Sequence, residues 1–223
     1  MSIADKRTYL TDLIEELKLE WPNNHTINIV CHGHSVPAGY FACAFVDTFN
    51  AYPHLFHQGL KAIFSPAVIN VIVTAIGGEV SSSGAERFEK DVLCHQPRLL
   101  TIDYSLNDRG IGLEKAEAAW RTMIEKSSER NIKLILLTPT ADQSEMSGCP
   151  ENWDDLQQHA AQVRKLAAEY EVGLADSLAA YERYTKSGGE LTDLLSWVNH
   201  PNRKGHEIVA QELMRWFPLL YSA

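Results

Sequence analysis

An α/β domain with helices on both faces of a five-stranded parallel sheet is what this chain predicts, on three observations. Short β-branched apolar runs alternate with longer runs of helical period from one end to the other. No repeat, low-complexity tract or linker rich in Gly, Ser or Pro divides them, so they read as one domain. The 223 residues, 45% hydrophobic and 22% charged, suffice for a core that buries roughly 70% of the unfolded surface without disulfide staples.

At the N-terminus Leu10, Leu13, Ile14 and Leu17 share one helical face, with Asp12, Glu15, Glu16 and Lys18 around it. That pattern is an amphipathic helix rather than a signal peptide with an uncharged core, so residues 1–25 read as a helical extension before a domain of 26–223. Strands follow at Ile27 to Cys31, Ile69 to Thr74, Leu99 to Tyr104, Lys133 to Thr138 and Val172 to Leu174. Helices are expected over about 39–50, 82–94, 113–129, 154–170, 177–185 and 203–217, with Pro37, Pro66, Pro139 and Pro150 outside their interiors.

Composition narrows the function. A balance of 20 Lys+Arg against 29 Asp+Glu gives a net charge of −9, and without a basic cluster such a surface repels nucleic acid and anionic lipid. No run of roughly 18 apolar residues could span a membrane. Cys31, Cys43, Cys94 and Cys149 stand far apart with no CxxC pair, which reads as free thiols in a reducing, cytoplasmic setting. Cys31 and Cys43, in apolar runs, are expected as small core residues.

In an open parallel sheet, ligands bind at the carboxyl ends of the strands, so the informative residues follow each strand. After the first comes His32-Gly33-His34-Ser35-Val36-Pro37. Its serine is either a nucleophile exposed on a strand-to-helix turn or an ordinary helix cap. Gly77-Gly78-Glu79 after the second allows a positive-φ turn with N–H groups turned to a ligand. Tyr104-Ser105-Leu106-Asn107-Asp108 follows the third, with a carboxamide where an oxyanion could be met. Before the last helix stands Asn199-His200-Pro201-Asn202, whose histidine is a candidate general base.

In this order the four turns resemble the four blocks of the SGNH hydrolases, the GDSL esterase and lipase superfamily, over nearly the whole chain from Ile27. The resemblance implies a three-layer α/β/α, flavodoxin-like fold, Ser35 as nucleophile, Gly78 and Asn107 as oxyanion-hole donors and His200 as base. It implies a serine esterase working through an acyl-serine, with no metal or organic cofactor. Two positions depart from the pattern. His34 replaces the aspartate of GDS, and Trp197 stands where the triad acid of DxxH belongs. A Ser35–His200 dyad oriented by the Trp197 carbonyl is therefore expected, with Asp193 as the second choice and Glu79, equally suited to cap the helix near Ser82, as the third.

The substrate expected is a short acyl ester, acetyl foremost, on a small or carbohydrate-like alcohol. No apolar insertion is long enough to form a lid, and Trp153 and Trp197 are candidate stacking rings, with His34 at the mouth. A lysophospholipase or thioesterase is the alternative of the same class. A non-catalytic carbohydrate-binding derivative and a metal-dependent hydrolase built on Cys31, His32 and His34 are the alternatives of other classes, the last weakened because such barrels need eight strand–helix units. The sequence does not encode an oligomeric state legibly.

Overall fold

The structure is a computed structural model that describes residues 2–145 and 150–217; Cys149 lies outside them. The strands expected from the sequence form at β1 (Thr26–Gly33), β4 (Val68–Val73), β5 (Leu99–Asp103), β6 (Lys133–Leu137) and β7 (Gly173–Ala175). They pair in the order β4-β1-β5-β6-β7, all parallel. The order reverses at β1, which places the switch-point crevice at the carboxyl ends of β1 and β5.

Strand alternation divides the apolar side chains between two cores. Ile27, Ile29 and Cys31 of β1 point into one, with Ile135 and Leu137 of β6. The helices α1 (Thr11–Leu17), α3 (Tyr52–Ile63), α9 (Ser177–Lys186) and α10 (Arg203–Met214) close that side. Val30, Leu100, Ile102, Leu134 and Leu136 point into the other, beneath α5 (Phe88–Asp91), α7 (Leu113–Ser128) and part of α8 (Pro150–Glu169). The N-terminal segment belongs to the first core: Leu10, Leu13, Ile14 and Leu17 are all buried there. Among the described residues no helix is long and apolar enough to cross a membrane.

The helix expected over 39–50 does not form. Ser35–Ala38 makes a single helical turn, α2, closed by Gly39 at φ +89°, a left-handed conformation that ends a helix and that glycine adopts freely. The apolar run that follows becomes a hairpin of β2 (Tyr40–Ala42) and β3 (Phe45–Val46). Phe41 is buried while Phe45 and Val46 face outward, and Cys43, expected in the core, is exposed. The helix on this side is α3, with a proline in its first turn and Tyr52, Phe56 and Leu60 buried at four-residue spacing. The helix expected over 82–94 breaks into α4 (Ser81–Glu86), α5 and a 3-10 turn at Leu93–His95.

Candidate active site

Ser35 opens α2 directly beyond the end of β1. His34 caps that turn: its Nδ1 accepts from the Val36 N–H at 3.2 Å, one of the donors that a helix start leaves unpaired. His200 arrives from the far end of the chain in a loop folded on itself. Leu195 bridges Pro201, the Ser196 N–H donates to the His200 carbonyl at 3.0 Å, and the Ser196 hydroxyl donates to the Phe41 carbonyl of β2 at 2.6 Å. Asn202 caps α10 through the Gly205 N–H. The outcome is a His200 Nε2 to Ser35 Oγ distance of 3.0 Å, between two residues 165 positions apart and only 6–7% exposed.

His200 Nδ1 finds no hydrogen-bond partner among the described residues, so the expected Trp197 carbonyl does not orient the ring. Asp193 does not either. Its carboxylate accepts from the Tyr184 hydroxyl at 2.7 Å and from the Glu190 N–H at 3.1 Å, closing a capping box on the 3-10 turn Leu191–Leu194. Burial lowers the His200 pKa below its usual value, and the nearby His34 lowers it further.

Glu79, the third choice for the acid, is committed elsewhere. It accepts from Arg87 Nε at 2.7 Å and from the Tyr104 hydroxyl at 2.6 Å, and Arg87 also donates to the Thr74 carbonyl at 2.6 Å. Nor does it cap α4, whose first N–H, that of Ser81, goes to the Asp108 carboxylate at 2.7 Å. These bonds hold the segment after β4 against β1, where the Ile76 N–H donates to the Gly33 carbonyl at 3.0 Å. Gly78 sits in that turn at φ +78°, as its sequence suggested. The Asn107 carboxamide, from the turn α6 (Ser105–Asp108) after β5, donates to the Glu79 carbonyl at 2.9 Å. Asn107 is thereby fixed beside Gly78, with its second amide hydrogen left over.

His32 and Cys31 separate as alternate strand residues must. His32 lies between Thr74 (Nδ1 to Oγ1, 2.9 Å) and Tyr104 (Nε2 to hydroxyl, 3.0 Å), and burial brings its pKa down to about 4. The Cys31 thiol is in the opposite core, pushed up to about 12 by burial. His34 is not at a mouth but buried, with Nε2 3.3 Å from an Asp103 carboxylate oxygen. Among the described residues no group of three His, Cys, Asp or Glu side chains is placed to hold a metal ion.

A cleft of about 660 Å³ lies next to His200, lined among others by Arg109, Asp142, Gln143, Val198 and Asn199. Neither expected stacking ring lines it. Trp197 is about half exposed, and Trp153 packs against the core and borders a separate depression with Gln157 and Lys186. Sequence reasoning missed Arg109, Asp142 and Asp103. Asp103 was readable only as a carboxylate ending a buried strand, and nothing local marked the pairing of Arg109 with Asp142, 33 residues apart.

A family model described as the GDSL-like lipase/acylhydrolase family matches residues 31–208. Among solved structures, the chain is similar to the acetylxylan esterase Axe2 from Geobacillus stearothermophilus, with a TM-score of 0.74 at 21% identity over 86% of this chain and 94% of that one. It is also similar to a two-domain esterase active on acetylated mannans, with a TM-score of 0.74 at 19% identity over 93% of this chain and 52% of that one. A putative GDSL-like lipase from Parabacteroides merdae gives a TM-score of 0.70 at 18% identity over 85% and 94%. No curated protein matches the sequence.

Proposed function

This chain belongs to the GDSL-like lipase and acylhydrolase family of ester-bond hydrolases, and from that premise we propose that it is a serine esterase removing acetyl and other short acyl groups from carbohydrate hydroxyls. One observation carries the reading: the 3.0 Å contact between Ser35 Oγ and His200 Nε2 at the carboxyl end of the sheet. His200 Nε2 takes the Ser35 proton as the oxygen attacks the ester carbonyl. The same nitrogen returns it to the leaving alcohol, and a water then releases the acid from the acyl-serine.

The tetrahedral oxyanion is met by the Ser35 and Gly78 N–H groups and by the free amide hydrogen of Asn107. A helix start leaves its first N–H groups unpaired, and removing one such donor typically costs about 10²–10³ in kcat. The acetyl preference is supported by the absence of a long apolar insertion and by the two similar structures described as acting on acetylated xylan and mannan. Free Cys31, Cys43 and Cys94 thiols fit a cytoplasmic location.

The test is hydrolysis of p-nitrophenyl esters of graded chain length and of acetylated xylotriose, by wild type and Ser35→Ala. Wild type is expected to release acetate, to favour two or three acyl carbons, to react with a fluorophosphonate and to keep its activity after exhaustive chelation. Ser35→Ala is expected to fold and lose both hydrolysis and labelling. Turnover retained in that variant removes Ser35 from the mechanism, and a preference rising to eight carbons or more replaces the short-acyl reading with a lipase.

A further inference from the structure

The cleft of about 660 Å³ adjoins the site: its lining includes Arg109, two residues after Asn107, and Asn199, the residue before His200. Arg109 and Gly110 on one wall come two and three residues after Asn107, and the Gly110 N–H donates to the Asn107 carbonyl at 2.9 Å. Asn199 on the other wall is the residue before His200. The Gln143 N–H joins the walls through the Val198 carbonyl at 2.9 Å. This adjacency on both sides makes the cleft the candidate space for the alcohol half of an ester held between Asn107 and His200.

The lining defines what fits. The Arg109 guanidinium is locked, donating to Asp142 at 2.6 Å, the Leu106 carbonyl at 3.0 Å and the Asn152 carbonyl at 3.2 Å. Asp142 is buried, so the pair is a fixed fork with two N–H donors still open. Around it the carboxamides of Gln143, Asn152 and Asn199 make no hydrogen bonds among the described residues, and each both donates and accepts. Hydroxyl groups also do both, whereas a phosphate at neutral pH is chiefly an acceptor. With Arg109 balanced by Asp142, the carboxylate of Asp155 leaves the described lining residues net negative, which disfavours a phosphorylated headgroup or coenzyme. Val198 is the one apolar side chain of size among the described residues of the lining, so an acyl chain gains little from them.

We propose that the cleft bounded by Arg109, Gln143 and Asn199 is a subsite for a neutral, polyhydroxylated alcohol, with the Gln143 and Asn199 carboxamides as its specificity-determining groups. The proposal rests on the esterase reading above, and its test separates the two. The kcat/KM for acetylated xylotriose, divided by that for p-nitrophenyl acetate, is measured in wild type, Gln143→Ala and the Gln143→Ala/Asn199→Ala double variant. Calorimetry follows binding of unacetylated xylotriose and of glycerophosphocholine to the same proteins. The ratio is expected to fall at least tenfold in the double variant, through KM, and xylotriose affinity is expected to fall with it. A ratio and an affinity unchanged in folded variants overturn the subsite, as does glycerophosphocholine binding more tightly than xylotriose. Wild type that hydrolyses neither ester yet loses xylotriose binding on substitution refutes the esterase reading and leaves the subsite standing.

Discussion

Two imidazoles flank the Ser35 hydroxyl, His200 Nε2 at 3.0 Å and His34 Nδ1 at 3.4 Å. Only one lone pair is free to take the proton, because His34 Nδ1 already accepts the Val36 N–H. His34 thus supplies a cap acceptor at the position where the family's motif has an aspartate, and either side chain can fill that role. His34→Asn keeps an acceptor and is expected to retain most activity, whereas His34→Ala should cost about 1 kcal/mol of stability in a urea titration and a larger share of kcat. Equal behaviour of the two variants would contradict the capping role. His200 acts as a base only when neutral, and burial lowers its pKa. The acid limb of the kcat/KM profile should therefore fall below the unperturbed value of about 6.5, and a limb at 7 or above would require a carboxylate behind the ring. Asp193→Asn removes an exposed capping-box acceptor, so a folded variant should lose less than tenfold in kcat, against about 10⁴ for loss of a triad acid. Ser35, Gly78 and Asn107 were legible because each follows a strand whose position the sequence pattern fixes, and His200 because it stands just before the last helix. The occupation of Asp193 was not, because its partner Tyr184 lies on α9.

Among the elements, the hairpin β2–β3 is where periodicity misled. Phe41 to Val46 is apolar at nearly every position, and an unbroken apolar run of that length does not separate helix from strand. Gly39 decides it. A Cβ there would stand 3.2–3.3 Å from Thr48 Cα, Ala51 Cβ and the Asp47 carbonyl, on a backbone at φ +89°. The chain must turn left after α2 so that β2 can present the Phe41 carbonyl to Ser196, the clamp on the His200 loop. Gly39→Ala is expected to cost about 1–3 kcal/mol, and to lower kcat as well, because both halves of the Ser35–His200 pair depend on this turn. Gly39→Asn should lose less, since asparagine tolerates the left-handed region better than alanine. Urea midpoints at or above wild type for Gly39→Ala would show that the turn carries no strain.

Across the whole molecule the parallel sheet, its strands and its two cores followed from sequence because a central strand buried on both faces must be continuously apolar. What the pattern could not rank was the fate of nine histidines, which the fold distributes by burial rather than by charge. His32 is held neutral between Thr74 and Tyr104 with its pKa near 4. His206 is fully buried against Tyr52, whose N–H it accepts at 3.2 Å, and burial takes its pKa to about 3. In the unfolded chain both titrate near 6.5, so below that pH the unfolded state binds more protons and stability must fall. The sign is that of a depressed pKa: the contribution is complete above about 6.5 and is lost as the pH falls toward the folded values. Between pH 8 and pH 5 each of the two histidines removes about 2 kcal/mol, together about 4 kcal/mol. His57, His159 and His200, also lowered by burial, act in the same direction, while Asp108, raised by burial, opposes them. For a chain of this length that predicts a Tm lower by roughly 8–16 °C at pH 5 than at pH 8. His206→Asn keeps an acceptor for the Tyr52 N–H without a titrating ring, so it should reduce the slope of stability with pH by up to about 1.4 kcal/mol per unit between pH 6 and 5. Thermal unfolding followed by circular dichroism across that range decides it: equal Tm values at pH 8 and pH 5 would mean that the buried rings are already charged in the native state.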